Sequence, residues 1–141
     1  MIKKSMYTAT LFVIALTLLG CATTQERLLD SKEGQVKLRS IQTRVFDTTN
    51  KEKTLRTVIA TLQDLNFVID KADHIIGSVS ATKLNRYALR MTVSVRPRGE
   101  AQMLVRANAQ YQDKPVTDPK TYQNFFTSLE KAMFLEAHSV Q

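Results

Sequence analysis

The chain has 141 residues, a formal charge of +7, four glycines and a single cysteine. One cysteine excludes a fold stapled by disulfides within the chain, and four glycines leave little room for a phosphate-cradling loop. The length fits one domain with a tether, while the basic balance would raise nucleic acid as a partner in a cytoplasmic protein, so the compartment must be read first.

Lys3 and Lys4 supply a positive segment ahead of an apolar run from Leu11 to Leu19. This is the layout of a secretory signal, and the run is well short of the roughly 20 residues a membrane-spanning helix needs. It ends in Leu18-Leu19-Gly20-Cys21, which resembles the lipobox of bacterial lipoproteins: aliphatic residues and a small residue ahead of an obligatory cysteine. The resemblance implies that a diacylglyceryl group is attached to the Cys21 sulfur, that the chain is cut before Cys21, and that the new amine is acylated. The chemistry fits, because a thiol can form a stable thioether and Gly20 leaves the scissile bond sterically open. Several acyl chains at about 0.8 kcal/mol per buried CH₂ make a stable anchor. In that family an aspartate just after the cysteine retains the protein at the inner membrane. Ala22 stands there, which implies the outer membrane, periplasmic face.

Residues 1–20 are thus expected to be a signal peptide, 21–39 a lipidated N-terminus and flexible tether, and 40–138 a single domain. The tether is polar, with only scattered Leu28, Leu29, Val36 and Leu38. Export removes nucleic acid from consideration. The anions left are phospholipid headgroups, cell-wall carboxylates and acidic protein surfaces.

In the domain, Ile41 to Asp47 reads as a first strand. Thr49-Asn50-Lys51-Glu52 reads as a capping box in which Thr49 and Glu52 satisfy each other's free backbone donors. A helix follows, with Leu55, Val58, Ile59, Leu62 and Leu65 on one face, and Asn66 suits the left-handed residue that ends it. Phe67 to Asp70 reads as a second strand, Ala72-Asp73-His74 as a turn, and Ile76 to Lys83 as a third strand. From Leu89 to Arg96, Leu89, Met91, Val93 and Val95 alternate with Arg90, Thr92, Ser94 and Arg96, the clearest strand signal in the chain. Pro97-Arg98-Gly99-Glu100 makes a turn. The return strand sets Met103, Val105, Ala107, Ala109 and Tyr111 against Gln102, Leu104, Arg106, Asn108 and Gln110. Asp118-Pro119 starts a last helix, whose stripe Tyr122, Phe125, Phe126, Leu129 and Met133 is expected to pack on the sheet. The expected fold is α+β, β-α-β-β-β-α: an antiparallel sheet of four to five strands with two helices on one face and the other face open.

This order, with Leu62-Gln63-Asp64-Leu65-Asn66-Phe67-Val68-Ile69 followed by Gly77-Ser78-Val79-Ser80-Ala81, resembles the globular units of BamC-type envelope lipoproteins. The resemblance implies a helix-grip arrangement in the cell envelope. One such unit is present here, over about the last 100 residues, where BamC has two.

Little in the chain suggests catalysis. His74 and His138 are isolated and lack neighbours at ligand spacing, and Asp70 and Asp73 lie where solvated aspartates usually do. No catalytic residue, metal or cofactor is expected. Of the charge of +7, Lys3 and Lys4 supply two, leaving +5 for the mature chain. Between Lys83 and Arg106 six basic residues face one acid, Glu100. Among them Arg90, Arg96 and Arg106 share the polar phase of two adjacent strands. Two functional readings follow. One is a non-catalytic interaction module docking an envelope protein; the other is a binder of anionic lipid or cell-wall polymer through a basic sheet face. A solvated arginine face with no partner is the plainer account of the same three residues.

Overall fold

Strict alternation of apolar and polar residues over two long neighbouring stretches fixes the centre of the fold, because a pleated strand sends successive side chains to opposite faces. A computed structural model describes residues 34–85 and 87–138 of the chain. Cys21, the segment read as a signal peptide and the segment read as a tether up to residue 33 lie outside the described residues. The chain divides after Lys37 into two units, and the second, Leu38–Gln141, carries the sheet.

A helical segment, α1, covers 34–41. It is followed by β1 (Thr43–Phe46), α2 (Lys51–Asp64), β2 (Val68–Asp73), β3 (Ser78–Asn85), β4 (Tyr87–Arg98), β5 (Gln102–Tyr111), β6 (Lys114–Pro115) and α3 (Pro119–His138). The fold is α+β, with a six-stranded sheet in the order β1-β5-β4-β3-β2 and β6 also paired to β5. Every pairing is antiparallel. Strands β2 to β5 form a meander, while β1 docks on the far edge beside β5. The chain must therefore cross the sheet between β1 and β2, and α2 makes that crossing.

Four expectations change at the boundaries. The first strand begins at Thr43, since Ile41 belongs to α1, and α1 occupies the last residues of the segment read as tether. The capping residue of α2 is Asn50, whose Oδ1 accepts the Lys53 backbone N–H at 2.9 Å; the Thr49–Glu52 box does not form the cap. Asparagine is among the strongest N-cap residues. Glu52 instead sits in the first turn and faces Arg56 one turn on, at 3.4 Å. The second strand runs on to Asp73 and the third starts at Ser78, so the turn between them is 74–77. Strand β4 extends to Arg98, and the hairpin turns at Gly99. A sixth strand, the pair Lys114–Pro115, is added to those expected; proline is tolerated there because the pairing is at an edge.

The core lies between the sheet and the two longer helices. Leu55, Val58 and Leu62 of α2 and Tyr122, Phe125, Phe126 and Leu129 of α3 are all buried against Val79, Ala81, Met91, Val93, Val95, Val105 and Ala107 of the sheet. The α2 stripe is wider than its aliphatic residues, because Thr54, Thr57 and Thr61 are buried too. Each threonine hydroxyl donates to the carbonyl four residues back, at 2.8 to 2.9 Å, so no polar group is left unsatisfied on that side. The extra width fits a helix with two neighbours, the sheet and α3. Asn66 ends α2 with φ of 63°, as the sequence suggests.

Two devices pin the layers. Tyr122, fully buried, donates its hydroxyl hydrogen to the Val116 carbonyl at 2.7 Å and accepts from the Gln42 side-chain amide at 3.1 Å and the Ala109 backbone N–H at 3.3 Å. At the other end, Lys51 donates to the Ile75 carbonyl at 2.8 Å and clasps the β2–β3 turn. Gly77 in that turn has φ of 74°.

Candidate functional site

Both long helices pack on the face carrying Met91, Val93 and Val95, so the opposite phase of each strand is uncovered by them. Arg90, Arg96 and Arg106 all lie in that phase. The register sets Arg90 opposite Thr82 on one side and Gln110 on the other, Arg96 opposite Leu104, and Arg106 between Ser94 and Thr43. Arg96 and Arg106 are therefore diagonal neighbours, at the roughly 7–8 Å usual for such positions. They are not directly opposed, so the like-charge repulsion of a direct cross-strand pair does not arise. Arg90 lies four residues along β4 from Ser94, the partner of Arg106, or about 13 Å. The three form a strip along the sheet.

Their environments differ. Arg90 and Arg96 are exposed, whereas Arg106 is partly buried and its Nε is shielded from solvent without a hydrogen-bond partner. A buried guanidinium N–H without an acceptor is costly, so Arg106 is the member most sensitive to what covers it. Lys71 joins the strip opposite Ser80. Two acids lie beside the strip: Asp70 accepts from the Thr82 hydroxyl and Asp47 from the Gln102 side-chain amide, both at 2.7 Å.

Beside Arg90 the face is indented. Strand β1 leaves β5 after Thr43 and β6 joins it only at Gln110, and in the gap lies a hollow of about 260 Å³ walled by Arg90, Thr92, Asn108, Gln110, Gln42 and Pro115. Its walls offer amides, a hydroxyl and one guanidinium, and no carboxylate. Such a set recognises polar or anionic groups by hydrogen bonds; it holds no nucleophile paired with a base.

The remaining sequence candidates have structural partners or lie apart. Asp73 Oδ1 accepts the Ile76 backbone N–H at 2.9 Å, closing the β2–β3 turn. His74 is exposed in that turn. Among the described residues no group of three or more His, Cys, Asp and Glu could hold a metal ion, and no helix is long and apolar enough to cross a membrane.

A second concavity, on the helix side of the sheet, was not foreseen. Strand β4 has 12 residues and spans about 40 Å, whereas the 14-residue α2 spans only about 21 Å. The sheet outruns the helix, and past the end of α2 a cleft of about 220 Å³ opens. Phe67, Leu89, Met91 and Phe125 form its apolar floor; Lys83, Tyr87, Tyr111, Thr121 and Asn124 surround it. Tyr111, expected in the core, is 46% exposed at the mouth, and Tyr87 is 69% exposed. The signal for this cleft was present in the strand phase, since Lys83, Tyr87 and Tyr111 continue the core-facing positions with residues that carry polar ends. Compared with known protein families the chain matches no family model, and no curated protein matches it.

Proposed function

We propose that the chain is an envelope lipoprotein, anchored through Cys21 to the periplasmic face of the outer membrane, that serves as a non-catalytic interaction module and docks an acidic surface of an envelope protein on its open sheet face. The observation carrying this reading is the one-sided placement of α2 and α3, which leaves the strip of Arg90, Arg96, Arg106 and Lys71 facing away from the core, with the acids beside it, Asp70 and Asp47, held by Thr82 and Gln102. Exposed arginines of one sign steer an acidic partner and fix its orientation. The lipobox sequence supports the compartment, and Ala22 the membrane.

A second reading, binding of anionic lipid or cell-wall polymer, is favoured by the hollow at Arg90, whose amide and hydroxyl walls suit a ligand rich in hydroxyls and carboxylates. Changing Arg90 and Arg96 together to Glu in the full chain tests both readings. In-cell crosslinking should lose its partner band while circular dichroism stays that of the parent. Co-purification that persists above the salt concentration that releases the unmodified chain from anionic vesicles supports the protein partner, because exposed charges are screened within about 10 Å at 0.1 M salt. A folded variant that keeps its partners and its vesicle binding returns the strip to a solvated surface.

A further inference from the structure

The cleft beyond α2 belongs to neither reading, since it lies on the helix side of the sheet. Its floor is apolar and continuous with the core, where Met91 and Phe125 are almost fully buried. At about 220 Å³ it falls below the roughly 300 Å³ at which pockets for whole small molecules begin. A cleft of this size takes a single narrow chain, with its mouth at Tyr87 and Tyr111.

The chemistry of that ligand follows from the walls. Lys83 donates to the Leu65 carbonyl at 3.0 Å and lies 5.8 Å from the centroid of the Phe67 ring. An ammonium has three donors, and this one has no carboxylate partner among the described residues, nor does any acid line the cleft. The tyrosine, threonine and asparagine ends around it add further donors. An apolar floor beside one uncompensated cation complements a ligand with an apolar body and an anionic head.

A peptide fits less well than a chain without amides. The strands under the cleft pair with one another, Leu84 with Ala88, Asn85 with Tyr87 and Leu89 with Tyr111, while β3 runs on to Asn85 past its last pair with β2, Val68 with Thr82. The Ala88 carbonyl also accepts the Gln112 N–H at 3.4 Å. Among the described residues the edge left without a strand partner beside the cleft is Lys83 to Asn85 of β3, shorter than the roughly five to six residues of an ordinary strand, so a peptide backbone gains little there. We propose that the cleft is a binding site for a single-chain anionic amphiphile of the fatty-acid class, its alkyl end on Phe67, Leu89, Met91 and Phe125 and its carboxylate at the Lys83 ammonium.

Calorimetric titration of the full chain with dodecanoate below its micellar concentration, and in parallel with dodecan-1-ol, tests this. Dodecanoate should saturate at one site per chain and bind about tenfold tighter than the alcohol, the scale of one hydrogen bond to a charged group. Lys83→Gln removes the charge while retaining an N–H donor on a side chain one bond shorter, so it should erase that preference while leaving alcohol binding in place. Leu89→Trp narrows the cleft and should weaken both ligands about tenfold, a loss of apolar contact on the scale of a methylene or two, with circular dichroism and melting as the folding check. Should Leu89→Trp not fold, Thr121→Phe at the rim gives the same readout. The absence of saturable binding, an unchanged preference in Lys83→Gln, unchanged affinity in the folded narrowed variant, or tighter binding of a peptide ending in Phe than of dodecanoate would each overturn the assignment.

Discussion

At the scale of single residues the strongest commitments are made by groups with no slack. Tyr122 is one. Its hydroxyl serves three partners drawn from the turn before β1, from β5 and from the loop ahead of α3, and Gln42 and Val116 are buried with it. Tyr122→Phe keeps the ring and orphans those partners, so it should cost about 1 to 3 kcal/mol in urea unfolding. Gly77 is another. A Cβ there would stand 2.6 Å from the Val95 carbonyl oxygen and 2.5 Å from the Lys51 side chain, and the backbone is left-handed. Lys51 can swing away, but the Val95 oxygen is held by the sheet. Gly77→Ala should therefore lose about 2 to 4 kcal/mol, the sum of the left-handed penalty and overpacking, measured as a drop in the urea midpoint. By contrast Gly99 has open space around its Cβ position, and the same exchange there meets only the backbone preference.

At the scale of elements the question is which patterns carry information. Alternation in β4 and β5 was legible because the sheet has one buried face, which makes a period of two compulsory over those residues. The α2 stripe was legible for the same reason at helical spacing. Leu62, fully buried between helix and sheet, should cost about 2 to 5 kcal/mol on change to Ala. A loss below about half a kcal/mol would belong to a surface residue and contradict this packing. What was not legible has physical causes. Thr48, Thr49 and Asn50 are all competent caps, and only the requirement that Leu55 face the sheet selects among them. Thr54, Thr57 and Thr61 read as polar from sequence, yet back-bonding to the preceding turn makes them compatible with burial. A two-residue strand such as β6 has no period to detect. The polar-ended residues Lys83, Tyr87 and Tyr111 in the core-facing phase mark the cleft in the sequence, but its depth arises from a mismatch of lengths between a strand and a helix, a property of the pair.

At the scale of the whole molecule, fold class and the shared face of Arg90, Arg96 and Arg106 followed from the sequence, but their spacing did not. The strand registers decide whether like charges oppose or lie diagonal, and the hairpin turn is one residue off the sequence reading. The proposed placement in the envelope stands on Leu18-Leu19-Gly20-Cys21 and is tested apart from the fold. Cys21→Ser should remove lipid labelling and shift the protein out of the membrane fraction or leave it unprocessed, and retained labelling would refute the anchor. Because the core contains no cysteine, the same variant should melt at the parent's temperature once purified.

The Tyr122 bond to Gln42 joins residues 80 apart in the chain, and β1 pairs with β5, which is completed more than fifty residues later. The meander from β2 to β5 closes by short turns, each a small loss of loop entropy, whereas docking β1 closes a long one. The order of assembly follows: the meander and α2 can form as soon as they exist, but the first strand of the domain must wait for nearly the last. Such distant closures, with the packing of α3 on α2, slow folding relative to the local meander. Relocating residues 38–47 to follow α3 changes when that strand becomes available while keeping its partner, β5.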